Sequence, residues 1–172
     1  MALTQPLSIA GALDLIQQAL DDLCQPVAGV AAVVPSISEF WKQAYASSQK
    51  PTVLICYNGE RVRGDFSVSN SLCRVDRDWI VAVKRGRGYF QNRGDSLYKN
   101  ANVAAFFAFV EQIRDGIRSI LNISEEQPLI DYKGIKPMKM GNIIMDAYTI
   151  EFSTANDLPM IYPFVQNAGG QN

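Results

Sequence analysis

At 172 residues the chain is sized for a single domain with a hydrophobic core of its own, needing neither a metal nor a disulfide staple. Charged residues make up 19% of it and balance to a net charge of −1, so no global attraction toward nucleic acid or an anionic membrane is expected. The sequence contains no histidine, which excludes Ser-His-Asp and Cys-His nucleophile systems and most zinc sites. Lysine and carboxylate mechanisms survive that cut, but no motif supports one, and neither catalytic residues, nor a cofactor, nor a metal is expected.

Hydrophobic residues reach 48%, yet no apolar run approaches the ~20 residues of a membrane span. Met1–Ser8 has neither a basic start nor a long apolar stretch, so no secretory leader is expected and the cytoplasm is the expected compartment. Cys24, Cys56 and Cys73 are odd in number and far apart, a pattern of buried thiols rather than of a zinc site or disulfide framework.

In chain order, Ser8 is a suitable N-cap, and Ile9, Leu13, Ile16, Leu20 and Leu23 follow at helical spacing. That helix should end near Cys24, because Pro26 restricts the residue before it. Val27–Val34 reads as a strand or an extended connection. Ser36-Ile37-Ser38-Glu39 has the form of a capping box, which predicts a short helix through Phe40, Trp41 and Tyr45. Pro51–Tyr57 is the clearest strand, and Asn58-Gly59 should stop it with a turn. Arg61–Arg74 reads as a long loop. Trp79, Val81 and Val83 then alternate with Asp78, Ile80, Ala82 and Lys84, a strand buried on one face and half buried on the other.

A polar, glycine-containing loop should run from Arg85 to Asn100 and lead into the principal core helix, Asn102–Ile123. Val103, Phe106, Val110, Ile113, Ile117 and Ile120 lie on one face of that helix, with Glu111, Arg114, Asp115 and Arg118 opposite. Its first half is apolar on most sides, since Phe106, Phe107 and Phe109 point in three directions; such an end is covered by a second layer or by another subunit. Leu129–Met140, interrupted by Gly134 and Pro137, suggests an edge or bent strand. Ile143–Phe152 is the last expected strand. The sum is an α+β domain over 1–154, with a mainly antiparallel or mixed sheet of four to five strands and two main helices on one face, followed by an irregular tail over 155–172.

Few residues suggest a site. Lys84, Arg85, Arg87, Arg93 and Lys99, interleaved with Tyr89, Phe90 and Tyr98, form a basic stretch that would suit phosphates and stacked bases, or is a solvated loop. Arg85-Gly86-Arg87-Gly88 lacks the spacing of a phosphate loop. The Arg-Gly-Asp tripeptides at 63–65 and 93–95 read as chance, and Asp76 and Asp78 as solvated turn residues rather than a cation site. Phe40, Trp41, Phe107, Phe109, Tyr162 and Phe164 are more apolar surface than one sheet and two helices require, and they would pack either on their own domain or on a neighbouring chain.

As an ordered pattern, several segments resemble the tail-terminator proteins of long-tailed bacteriophages of the Mu-like kind. They are the helix Ile9–Leu23, Pro51-Thr52-Val53-Leu54-Ile55-Cys56-Tyr57-Asn58-Gly59, Asp78-Trp79-Ile80-Val81-Ala82-Val83, Ile113-Arg114-Asp115-Gly116-Ile117-Arg118 and Asp146–Thr154. Pro35–Lys50 and the tail after Thr154 have no counterpart in the pattern. The resemblance implies a small structural subunit that closes into a ring of six on the end of the tail tube, stops tube growth and receives the head-completion proteins. The implied partners are other copies of the chain, the tube protein and a connector protein, with the basic stretch facing the lumen where DNA passes, or an acidic neighbour. Another neck or tail-completion subunit of the same virion, and a nucleic-acid-binding module, are the alternative expectations.

Overall fold

A computed structural model of the chain describes residues 8–24, 31–46, 48, 50–62, 72–86, 101–120, 130–140 and 143–159. Among these the order is α1 (Ile9–Cys24), β1 (Ala32–Val33), α2 (Ile37–Tyr45), β2 (Thr52–Val62), β3 (Leu72–Lys84), α3 (Ala101–Ile120), β4 (Ile130–Met140) and β5 (Ile143–Pro159). The strands make one mixed sheet in the order β1-β2-β3-β5-β4, with only β1 and β2 parallel. The fold is therefore a single α+β domain. No helix among the described residues is long and apolar enough to cross a membrane.

Local chemistry sets the helix starts. The Ser8 hydroxyl accepts from the Gly11 backbone N–H at 3.0 Å, and Ser36, itself in extended conformation, accepts from Glu39 N–H at 3.2 Å. Two side chains of α1 then fix where β1 begins. Asp21 accepts from the Ala31 N–H at 2.7 Å and Gln17 donates to the Ala31 carbonyl at 2.9 Å, so both backbone groups of a buried residue are satisfied by the helix beside it.

The core lies on both faces of the sheet. On one, Ile16, Leu20 and Cys24 of α1 and Phe106, Phe109, Val110, Ile113 and Ile117 of α3 join Val53, Ile55, Trp79, Val81, Val83, Ile150 and Phe152. On the other, Phe40 and Ala44 of α2 join Leu54, Cys56, Ile80, Ala82, Met138 and Ala147. The period of two along each strand divides the two sets. β3 is consequently buried on both sides from Trp79 to Lys84, where the alternation predicts one half-buried face; α2 is the layer that the expectation of helices on one face leaves out. The α1–α3 crossing is close at Gly116, where an added Cβ would come within 2.3 Å of Leu23 Cδ1. Trp79, fully buried, donates its indole N–H to the Thr154 hydroxyl at 2.9 Å, so its burial leaves no polar atom unsatisfied.

Three boundaries differ from the sequence expectation. Asn58-Gly59 does not end its strand: β2 continues to Val62, and Gly59, at φ +106°, sits where the register shifts between Tyr57 and Glu60. A positive-φ glycine thus serves a β-bulge instead of a hairpin turn. The expected loop Arg61–Arg74 is shortened from both sides, with 63–71 outside the described residues and strand on either flank. β5 runs to Pro159, past the expected end at Phe152 and the expected tail boundary at 154, and pairs with β3 in unbroken register from Lys84↔Ala147 to Leu72↔Pro159. α3 occupies Ala101–Ile120, and the last expected turn, 121–123, lies outside the described residues. β4 is the outer strand, and its register with β5 shifts between Tyr132 and Gly134 and again between Pro137 and Lys139.

Docking of α2 carries a measurable consequence. Phe40 is 0% exposed, and Phe40→Ala should lower stability by about 3–5 kcal/mol through lost burial and an unfilled cavity, read from urea unfolding followed by circular dichroism. A loss below about 1 kcal/mol would mean that α2 does not cover the sheet.

Candidate functional site

The basic stretch begins with a residue that is not on a loop at all. Lys84 is the last residue of β3, only 6% exposed, and its ammonium donates to the backbone carbonyls of Gln43, at 2.8 Å, and of Ala46. These are carbonyls at the C-terminal end of α2, where a cation also meets the favourable end of the helix dipole. Burial holds the Lys84 pKa below its ordinary value. The lysine expected to face a lumen or partner is therefore a structural cap, corrected by its position at the buried strand end. Arg85 is half-buried, and Arg87, Arg93 and Lys99 lie outside the described residues.

The residues expected at a subunit interface divide. Phe40 and Phe109 are buried in the two halves of the core, so both are corrected from interface to interior. Trp41 is half-buried, edge-on to Phe40 with ring centroids 5.1 Å apart, and stacks on the exposed Tyr45 at 5.9 Å. Phe107 is 41% exposed, and its ring meets Tyr148 at 5.7 Å and Phe106 at 6.3 Å. Exposed Ala104 and Ala108 flank it on α3. Tyr162 and Phe164 lie outside the described residues. Two aromatic surfaces remain, Phe107–Tyr148 on the α1/α3 side and Trp41–Tyr45 on the α2 side.

A polar centre occupies the strand extensions beyond α2. Asp78, expected in a turn, is in mid-strand and accepts from Lys133 Nζ at 2.5 Å, Ser153 Oγ at 2.6 Å and Arg61 at 3.2 Å. Three strands thereby converge on one carboxylate. Burial alone would raise its pKa, but hydrogen bonds from Lys133, Ser153 and Arg61 and the charge of Lys133 outweigh it and hold Asp78 below the ordinary value. On the opposite face, buried Arg77 lies 3.5 Å from Glu60. Lys136 and Glu151 pair at 3.0 Å between β4 and β5. These carboxylates are engaged with cations or hydroxyls, which is the chemistry of a cross-strand clamp rather than of a reacting centre. Among the described residues no group of three or more Cys, Asp or Glu is placed to hold a metal ion. Burial, with the charge of Asp21 adding to it, pushes the Cys24 thiol up to about 12 and leaves it a protonated, inert filler.

The sequence carried no signal for the Lys84 cap or the Asp78 clamp, because their partners lie 17 to 75 residues away in the chain. Alternation did place Asp78 and Lys84 on the same face of β3, and that face is where both make their contacts.

Two substitutions test these assignments. Asp78→Asn should cost about 1.5–3 kcal/mol at neutral pH, since it removes the charge that Arg61 and Lys133 face. A depressed carboxylate pKa contributes stability that is complete above the ordinary value of 3.8 and is lost as pH falls through the native value, so the gap between wild type and variant should persist to pH 3.8 and close only below it. A gap that closes well above that value would show that the clamp does not hold in solution. Lys84→Met keeps the apolar stem and removes the donor; it should cost about 1–3 kcal/mol by leaving the Gln43 and Ala46 carbonyls short of a partner, measured by the same unfolding curve. No protein-family model matches the chain, and no curated protein matches it.

Proposed function

We propose that this chain is a structural virion subunit, a tail terminator: copies close into a ring at the head-proximal end of a phage tail tube, end tube growth and present the surface on which head-completion proteins join. The proposal takes its identity from the ordered resemblance of the helices and strands to that family. The observation that supports it is the pair of unlike aromatic surfaces, Phe107–Tyr148 on one side of the sheet and Trp41–Tyr45 on the other. A ring is built from heterologous contacts, in which one patch of each subunit meets a different patch of the next, whereas a two-fold dimer uses one patch twice. Opposed patches on either side of a thin domain fit the first arrangement. The ion pairs of Asp78, Glu60 and Glu151 support a role without catalysis, because the carboxylates are committed to holding strands together. The subunit is made in the host cytoplasm and ends in the virion.

The test is electron microscopy of particles assembled when the gene is disrupted in its phage. Overlong tails of variable length, unattached to filled heads, are expected. Tails of normal length beside DNA-filled heads would move the subunit to another position in the neck, and unaltered infectious particles would overturn the virion role altogether.

A further inference from the structure

The tail beyond β5 carries the apolar segment Met160-Ile161-Tyr162-Pro163-Phe164-Val165, and the fold limits where that segment can go. β5 passes Phe107 at Tyr148 and ends at Pro159, and its pairing with β3 is unbroken between those points. Eleven residue steps at ~3.3 Å place the end of the strand roughly 36 Å from the Phe107–Tyr148 surface. Phe164 is five residues beyond Pro159, a reach of at most about 18 Å at full extension. Even doubled straight back along the sheet, Tyr162 and Phe164 fall short of the Phe107–Tyr148 surface of their own chain by about half the distance or more. The same surface on a second copy is under no such restriction.

We infer that the 160–165 segment of one copy docks on the Phe107–Tyr148 surface of the next, so that each subunit gives its tail forward and receives one from behind. This rests on the ring proposed above and names the contact that joins neighbours in it. The chemistry on the two sides is alike. The recipient surface offers the exposed edge of Phe107, the half-buried Tyr148 ring and the small side chains Ala104 and Ala108, which let a bulky partner approach the α3 backbone closely. The donor offers two aromatics and three aliphatic or thioether side chains without a charge among them. The donor and recipient patches lie at opposite ends of β5, so one copy's tail meets a different patch of the next, and repetition of that contact under rotation closes a ring. Aromatic anchors of this kind concentrate interface energy in few residues.

Cysteine cross-linking in the full-length chain tests the contact, with Cys73→Ser and the buried Cys24 and Cys56 retained. Phe107→Cys and Phe164→Cys are introduced together, oxidised, and the products sized under denaturing conditions, while mass photometry of the unmodified chain gives its assembly state. A ladder of covalent multimers is expected; covalent dimers and nothing larger would show a two-fold exchange of tails and overturn the head-to-tail contact. Tyr162→Ala with Phe164→Ala should also weaken self-association by tenfold or more with the circular dichroism spectrum unchanged. Assemblies that form normally but give no 107–164 cross-link, or that cross-link through Trp41→Cys to Phe107→Cys instead, would overturn the tail contact and leave the ring standing. A 107–164 cross-link found only within single chains would overturn the reach argument directly. A chain that stays monomeric at every concentration, alone and with tail tubes, would overturn both the contact and the ring.

Discussion

The pairing of β3 with β5 is the constraint on which the remaining structure depends. Thirteen consecutive residues of β3 stay in one register with β5, from Leu72↔Pro159 to Lys84↔Ala147, while the pairings of β2 and of β4 are each interrupted by bulges. A one-residue slip in this ladder would turn Trp79, Val81, Val83, Ile150 and Phe152 to the opposite side and bring Ile80, Ala82 and Ala147 in their place. Both sides are covered, but by unlike layers: two long helices that accept large side chains, and one short helix that accepts smaller ones. Only one register puts the indole beneath α1 and α3 with Thr154 as its acceptor.

From that ladder the polar placements follow. Asp78 and Ser153 are register partners, so the clamp hydroxyl is delivered to the carboxylate by strand pairing, and the bulge before Gly134 brings Lys133 to the same side. Lys84 ends the paired region of β3 on the α2 side, and its stem spans the edge of the smaller core to reach the helix end. The aliphatic part of the side chain is buried while the ammonium meets carbonyls, a division that a long flexible side chain tolerates better than any other cation would. Tyr45 completes the attachment of α2 by donating to the Lys139 carbonyl at 3.0 Å, which ties the helix to the far strand of the sheet.

What could be read from the sequence was what depends on neighbours in sequence. The caps at Ser8 and Ser36, the helical faces of α1 and α3, the strand after Pro51 and the alternation from Asp78 to Lys84 are encoded within a few residues of where they act. What escaped depends on partners that only the fold supplies. Asn58-Gly59 carries the same local preference for positive φ in a turn and in a bulge, and the continuing ladder with Arg77, Asp76 and Val75 decides between them. The strand beyond Thr154 contains Asn156, Asp157 and Pro159, poor strand formers held in place by pairing with Val75, Arg74 and Leu72. Phe40 looked surplus because the count of core layers was one too few. With α2 on the second face it has somewhere to go; Phe109 is absorbed by the core between α3 and the first face, and Phe107 is left as the aromatic of its helix that the domain does not absorb.

The outer strand β4 has a further consequence. Pro137 offers no N–H, the register of the strand with β5 shifts twice within eleven residues, and Lys136 and Lys139 stand exposed along it. At the other border β1 is two residues long. β2 runs on past it, so among the described residues that border is covered by a strand only at Leu54 and Ile55. On the β4 side a second copy's strand meets a missing donor and two exposed lysines, so what joins copies there acts through side chains, in contacts that form and dissolve while the backbone ladder stays intact.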